Sequence, residues 1–160
     1  MTVRSGLLAL LLAALALPGR GADPQSLLAV YAEQARRADP AFAGFSAARG
    51  QAFYLAKHTV ADGSQLSCAS CHHEDPRKET YAHHDPIPCR ACHVMYDKWP
   101  SGIPRMRRQI LALAPAANPG RFASDVMVEK WFEVNCGYLL ARDCTPVEKG
   151  DLIAWLMTVR

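Results

Sequence analysis

The chain has 160 residues, a formal net charge of +3 and 50% hydrophobic residues. Its basic residues are scattered along a chain that is close to neutral, so the composition gives no indication of a nucleic-acid-binding protein. The length predicts one compact domain with a modest hydrophobic core.

The N-terminus has the pattern of a secretory signal peptide. Arg4 precedes an apolar run from Gly6 to Leu17, and small residues follow the run. The run is shorter than the roughly 20 apolar residues that a transmembrane helix needs. We therefore predict a signal peptide over residues 1–21 and a single exported domain over 22–160, located in the periplasm. An uncleaved membrane anchor is the alternative.

Four segments combine helical periodicity with start or stop signals. Three of them begin at a side chain that can cap a helix, and proline takes the first helical position of the first and the last. The predicted helices run from Asp23 to Asp39, from Ser46 to about His58, from about Asp125 to Val134, and from Thr145 into the C-terminal segment. No stretch alternates convincingly as a β-strand. The predicted fold class is therefore all-α.

Between the second and third helices, the segment from Thr59 to about Arg105 is predicted to be mostly irregular and contains two CxxCH motifs. They are CASCH at residues 68–72 and CRACH at residues 89–93. CxxCH attaches c-type haem, because its two thiols form thioethers with the vinyl groups and its histidine reaches the iron. The sequence thus predicts two covalent haems, held by Cys68, Cys71 and His72 and by Cys89, Cys92 and His93.

Zinc is an alternative to haem at these motifs. The four cysteines also fit a tetrathiolate zinc site, with 17 residues between the two pairs. Such a site has no use for the histidine that follows each pair. Covalent haem attachment also takes place outside the cytoplasmic membrane, in agreement with the predicted export. Haem at the first motif alone and disulfides at the motifs stay open as further alternatives.

The remaining cysteines, Cys136 and Cys144, lie in NCGYLLARDC and lack the CxxCH pattern. In an oxidising compartment, a disulfide between them is the natural interpretation. It would close a small loop, for which about 2 to 3 kcal/mol of stabilisation is typical. Two free buried thiols are the alternative.

The order of helices and motif resembles class I cytochrome c. In that fold, a glycine and an aromatic residue of the N-terminal helix pack against an aromatic residue of the C-terminal helix. Here Gly50 and either Phe53 or Tyr54 would meet Trp155. The alternative is that these residues belong to the core of an unrelated helical domain.

The stretch from Leu113 to Leu156 resembles the C-terminal half of the sphaeroides haem protein (SHP) family of high-spin class I cytochromes c. The matching motifs are LAP, RF, EKW, NC, RDCTP, EK and DLIAWL, to which GQAFYLAKH and CASCH can be added. Together they cover most of the exported chain.

This resemblance implies a specific ligand set for the first haem. The iron would take His72 on one side and Asn135 on the other, next to a Cys136–Cys144 disulfide. An amide oxygen is a weak iron ligand, so it could leave on reduction and admit oxygen or nitric oxide. Met127 is the rival ligand, since thioether ligation is common in cytochromes c.

The departure from the SHP family is an insertion at about residues 74–112, which contains the second CxxCH motif. Its histidines His84 and, as the alternative, His83 are the candidate sixth ligands of the second haem. His58 and His73 are further spare histidines. The basic run Arg105, Arg107 and Arg108 could pair with haem propionates or form a solvated helix face. The typical family member carries one haem, so the insertion predicts a second one in a loop-rich part of the domain.

The predicted function is that of a periplasmic dihaem c-type cytochrome for electron transfer whose first haem binds small molecules at a displaceable asparagine. Its partners would be redox proteins, with a membrane-bound cytochrome b or a dihaem cytochrome c implied by the family's usual company. The alternatives are a small-molecule reductase, a gas-binding or gas-sensing protein, and a monohaem form that leaves the second motif unused. An electron carrier is favoured over an enzyme because no distal general acid stands out beside Asn135.

Overall fold

The structure is a computed structural model that describes residues 23–81 and 109–160. Several predicted features lie outside these ranges and stay predictions: the signal peptide, the second CxxCH motif with its candidate ligands His83 and His84, and the basic run at Arg105, Arg107 and Arg108.

The two described ranges contain five helices and four short strands. The helices are α1 (Pro24–Ala38), α2 (Ala47–Leu55), α3 (Cys68–His72), α4 (Asp125–Leu140) and α5 (Pro146–Leu156). Two antiparallel ladders pair β1 (His58–Thr59) with β2 (Gln65–Leu66) and β3 (Thr80–Tyr81) with β4 (Gln109–Ile110). None of the described helices is both long and apolar enough to cross a membrane.

The capping residues set the starts of the predicted helices as expected. The side chains of Asp23, Ser46 and Thr145 accept hydrogen bonds from the first-turn amides of α1, α2 and α5. Pro24 and Pro146 stand at the first helical positions. These side chains satisfy amides that have no partner within the helix.

The predicted helix ends were less accurate. Helix α2 stops at Leu55, before the expected end near His58, and α4 runs on to Leu140 instead of ending at Val134. Tertiary packing extends α4, because Cys136 and Leu139 are buried in the added turn. The extension places Asn135 inside the helix. The short elements α3 and β1–β4 were not predicted, since two to five residues carry no readable periodicity.

Helices α2 and α5 pack closely against each other. A Cβ atom at Gly50 would overlap the backbone carbonyl of Asp151. One turn further along α2, the ring of Tyr54 packs on Trp155 with 4.8 Å between centroids. The predicted contact of Gly50 and an aromatic residue with Trp155 is thus present, with Tyr54 rather than Phe53 as the aromatic partner.

A buried carboxylate joins the same two helices. The Asp151 side chain is 5% exposed and accepts hydrogen bonds from the Ser46 amide at 2.6 Å and the Arg49 Nε at 2.7 Å. The hydrogen bond from the Ser46 amide links Asp151 to the residue that caps α2. The start of α2 is therefore tied to the middle of α5.

Helix α4 is attached to the scaffold by a polar cluster at its N-terminal half. The hydroxyl of the fully buried Tyr31 on α1 donates to Glu129 Oε1, and the Lys149 ammonium on α5 donates to Glu129 Oε2 at 2.6 Å. Lys149 also lies 5.7 Å from the centroid of the Phe132 ring. Burial and the Glu129 carboxylate raise the pKa of Tyr31. This cluster connects α1, α4 and α5.

Candidate functional site

A cavity of about 260 Å³ lies between α3, α4 and the loop of residues 111–122. Its walls are mostly apolar. The hydrophobic lining comes from Phe53, Leu111, Leu113, Phe122, Val128, Trp131, Phe132, Leu139, Leu152, Ile153 and Leu156. The nitrogen-bearing polar side chains in the lining are His58, His72, Asn118, Arg121 and Asn135. Such a cavity suits a large, flat apolar group with a few polar contacts.

The first CxxCH motif forms helix α3, a single short helix at the edge of this cavity. Ser67 caps it and exchanges hydrogen bonds with Ser70, whose amide donates to the Ser67 hydroxyl at 3.2 Å. The turn brings Cys68, Cys71 and His72 to the cavity lining together. Burial raises the pKa of the Cys68 thiol to about 11. The three residues thus stand where one covalent haem would need them.

The His72 imidazole fits the role of an iron ligand. Its Nδ1 is buried and has no hydrogen-bond partner among the described residues. Burial, aided by the nearby positive charge of Arg121, lowers the pKa of His72 to about 3. The ring is therefore neutral at physiological pH, which is the form that binds metal ions. A buried polar atom without a partner is uncommon in folded proteins and indicates that a group is bound here.

The chain that leaves α3 is held in an unusual conformation. His73 adopts a φ of 68°, which is rare for a residue other than glycine. The Tyr54 hydroxyl donates to the His73 carbonyl at 2.6 Å, and the Asp75 amide donates to His73 Nδ1 at 2.9 Å. Thr80 donates to the Cys71 carbonyl at 2.6 Å. These bonds fix the direction in which the chain departs from the motif.

Helix α4 lines the cavity with Met127, Trp131 and Asn135, which follow each other at four-residue intervals. The Asn135 Nδ2 donates to the Trp131 carbonyl at 2.8 Å, one turn earlier in the helix. This bond engages the amide nitrogen of Asn135 as a donor. The amide oxygen is therefore the atom of Asn135 that could act as a ligand. The structure therefore brings the predicted distal residue Asn135 and its rival Met127 to the same cavity as His72.

Cys136, next to Asn135, is joined to Cys144 in the structure, with 5.5 Å between their Cα atoms. The bond links the last turn of α4 to the residue before the cap of α5. Together with the Tyr31–Glu129–Lys149 cluster, it attaches α4 to the scaffold on both sides of its cavity-lining face.

Three polar residues of the lining were not assigned to this site from the sequence. Asn118 and Arg121 belong to the loop of residues 111–122, and His58 begins β1. Loop residues have no periodicity or motif spacing that would reveal them. The only available signal was that Arg121 lies in the RF pair of the family-like stretch.

Comparison with known proteins gives consistent matches. The family model described as a domain of unknown function (DUF1924) matches residues 40–85 and 77–156. Cytochrome c-type protein SHP from Cereibacter sphaeroides is 35% identical over 92% of this chain and 94% of that protein. The structure of oxidised SHP, described as an oxygen-binding cytochrome c, matches with a TM-score of 0.63 and 32% identity, covering 87% of this chain and 99% of the other.

Cytochrome c'' from Methylophilus methylotrophus is a second relative, 28% identical over 85% of this chain and 80% of that protein. Its oxidised crystal structure matches with a TM-score of 0.66, covering 86% of this chain and 94% of the other. A solution structure of the same protein, concerned with haem-ligand detachment, matches with a TM-score of 0.63 at 27% identity, covering 84% and 92%.

The matches extend over the helical fold and over the CASCH segment that lines the cavity with Asn135. Covalent haem c is therefore implied for this fold, and zinc is not needed to explain the first motif. The chain belongs to the SHP and cytochrome c'' family of c-type cytochromes.

Proposed function

We propose that the chain is a periplasmic c-type cytochrome that transfers electrons and binds a small molecule at the haem of its CASCH motif. The observation that carries this proposal is the placement of His72 and Asn135 in one cavity, with the Asn135 nitrogen held by the Trp131 carbonyl. The predicted signal peptide and the disulfide between Cys136 and Cys144 both agree with an oxidising compartment.

Each of the following cavity residues would have its own role toward the haem. Cys68 and Cys71 would hold the haem through thioethers, and His72 would bind the iron on one side. Bound haem supplies one-electron redox chemistry and an iron able to hold a small molecule. The Asn135 oxygen would be a weak ligand of the same iron, which a small molecule could replace. Apolar walls such as Phe132 and Leu152 would keep water out of the cavity.

The names of the relatives support a displaceable ligand. SHP is described as an oxygen-binding cytochrome c, and the solution structure of cytochrome c'' concerns haem-ligand detachment. Both statements belong to those proteins. In this chain, the neutral amide oxygen of Asn135 is the group whose weak attraction for iron would permit the same behaviour.

We further propose a second covalent haem at Cys89, Cys92 and His93, with His84, or His83 in its place, as the sixth ligand. These residues lie outside the described ranges, so the proposal depends on their sequence and on the surroundings of the segment. The ends of the segment meet in the β3–β4 ladder, where Glu79 and Gln109 also share a hydrogen bond.

The ladder lies close to the first haem motif. Thr80 of β3 bonds to the Cys71 carbonyl, and Leu111, just after β4, lines the cavity. Seven residues lie between Tyr81 and Cys89, and the eight steps of chain that join the two span at most about 28 Å. A second haem would thus be tethered within that distance of the ladder.

A small-molecule reductase is the second candidate function. His58 lines the cavity and provides an imidazole, a side-chain type that often serves in catalysis, which the sequence had not placed there. Catalytic turnover with an artificial electron donor, at a rate well above autoxidation, would favour a reductase. Tight ligand binding with slow electron exchange would favour a gas-binding or sensing role.

The number of haems is tested by the intact mass of the exported protein. We expect the mass of the mature chain plus two haems. One haem would reduce the chain to a monohaem cytochrome with an unused second motif, and a protein without haem would contradict the whole proposal.

The distal role of Asn135 is tested by Asn135→His. Because imidazole binds iron far more strongly than an amide does, we expect a low-spin first haem and loss of carbon monoxide and nitric oxide binding. Asn118→His is the matched control, since Asn118 lines the same cavity but belongs to the loop of residues 111–122 and not to α4. Unchanged ligand binding in Asn135→His, or an equal loss in the control, would refute the assignment.

A further inference from the structure

Arg121 places a positive charge in the haem cavity. The residue follows Gly120 in the loop of residues 111–122, and its backbone amide donates to the Asn118 carbonyl at 3.0 Å. The Arg121 residue is half-buried at the edge of the open cavity. Desolvation of its guanidinium is the main reason why the pKa of Arg121 is lowered to about 10. The side chain is thus cationic at neutral pH.

This cation has no carboxylate partner in the described part of the chain. None of the ion pairs there includes Arg121. The exposed arginines behave differently: Arg77 pairs with Asp75 at 2.9 Å and Arg142 with Glu148 at 2.7 Å. A charge that is removed from water without a counter-charge is costly. An anionic group is therefore expected in the cavity beside Arg121.

The surroundings of Arg121 indicate where that anion lies. Arg121 lines the cavity together with His72 of α3 and Asn118 of its own loop. No acidic side chain contributes to the cavity lining among the described residues. An anionic group of the molecule that fills the cavity would supply the missing counter-charge.

We propose that Arg121 binds a propionate carboxylate of the haem attached to the CASCH motif. This inference rests on the proposed function, because it requires that haem in the cavity. A guanidinium presents two parallel N–H donors that match a carboxylate, which a lysine cannot reproduce. Arg121 is distinct from the basic run of the insertion, which the sequence had offered for this purpose.

The pairing of Arg121 with a propionate would affect the reduction potential of this haem. Reduction adds one electron to the ferric haem and removes its net positive charge. A nearby guanidinium offsets the negative propionate, which otherwise stabilises the ferric form. Loss of Arg121 should therefore favour the ferric state and lower the reduction potential of this haem.

The test is the reduction potential of the holoprotein with Arg121→Gln, Arg121→Lys and the control Arg36→Gln. The control removes one charge from α1 at an exposed site, where Arg36 lies 3.7 Å from Glu33. For Arg121→Gln we expect the equilibrium constant for reduction to fall about tenfold, which is about 59 mV for one electron. The lysine variant should fall by less, and the control should stay at the wild-type value.

A second measurement reads the propionate itself. In the reduced-minus-oxidised infrared difference spectrum of protein with ¹³C-labelled propionates, Arg121→Lys should shift a carboxylate band that Arg36→Gln leaves unchanged. This variant keeps the charge, so it decides the question even where Arg121→Gln fails to retain haem.

Two outcomes would overturn the proposal. One is a set of Arg121 variants with wild-type potential and carboxylate bands. The other is a wild-type potential that follows phosphate concentration at constant ionic strength, because a free anion would then occupy the place of the propionate. The intact mass separates these outcomes from failure of the proposed function, since it reports the haem independently of Arg121.

Discussion

Aromatic and small residues on helices form both the α2–α5 contact and the cavity-lining face of α4. The two regions differ in how tightly these residues are packed. At the first, Gly50 permits backbone contact, and Tyr54 and Ile153 are completely buried. On the second, Trp131 and Asn135 are only half-buried because they face the cavity. The scaffold is thus filled by its own side chains, whereas α4 leaves room for another molecule.

This difference separates stability from function. Substitutions at the α2–α5 contact should destabilise the domain, because nothing else can fill or relieve that contact. Substitutions that loosen α4 should leave the fold in place and change ligand binding at the proposed haem site. Three measurements examine this separation.

The largest effect is expected from Gly50→Ala. The added methyl group would overlap the Asp151 carbonyl and push α2 away from α5, so we expect a loss of about 3 kcal/mol in the free energy of unfolding. Denaturant unfolding of the holoprotein measures it. Gln51→Ala, exposed on the same helix, is the control and should change the free energy by less than about 0.5 kcal/mol. Equal effects in the two variants would contradict the assigned helix contact.

A smaller loss of stability, but a larger change in ligand binding, is expected when the link at the end of α4 is removed. The double variant Cys136→Ala and Cys144→Ala should lose about 2 kcal/mol, since the disulfide closes only a short loop. The last turn of α4 would then loosen beside Asn135 and speed carbon monoxide binding. Stopped-flow kinetics measures this rate, and Gly50→Ala tests whether destabilisation alone produces it. A similar acceleration of carbon monoxide binding in both variants would contradict the distinction between the α2–α5 contact and the cavity-lining face of α4.

The smallest effect concerns Glu148, which lies in the first turn of α5. Its hydrogen bond with Arg142 is the main reason why the pKa of Glu148 falls from 4.5 to about 2. A pKa that is lower in the folded state stabilises the protein above pH 4.5, and this contribution is lost as the pH falls towards 2. The Glu148→Gln variant should therefore be less stable than wild type at neutral pH, by less than about 1 kcal/mol because the pair is partly exposed, and nearly equal to it near pH 2.

Arg142→Gln and the double variant complete the cycle for this pair. Both single variants should show the same loss at neutral pH, and the double variant should lose little more. A difference between wild type and Glu148→Gln that persists unchanged to pH 2 would show that packing, rather than charge, causes it.

The sequence was informative where a local rule decides the structure. Asp23 and Thr145 predicted helix starts because a capping side chain acts on its own first turn. The CASCH motif predicted that its two cysteines and its histidine serve one site, because thioether chemistry requires that spacing. The predicted role of Asn135 came from a family resemblance, since an asparagine in a helix carries no chemical signature of its own.

The features that escaped prediction depend on distant parts of the chain. The last turn of α4 exists because Leu139 packs against Val60 and Leu66 of the β1–β2 hairpin, which no local pattern reveals. The position of Arg121 depends on the path of its loop across the cavity. Propensity rules do not contain such contacts, so the extent of α4 and the charge in the cavity became visible only in the structure.

The β3–β4 ladder also bears on how this chain could have evolved. Because Tyr81 and Gln109 are directly paired, the two described ranges of the chain meet at one point. A gene segment can be added or lost at such a point without moving the helices on either side, since the endpoints already lie together. An ancestral cytochrome could therefore have acquired residues 82–108, with their CxxCH motif, in a single insertion before any other part of its fold had to change.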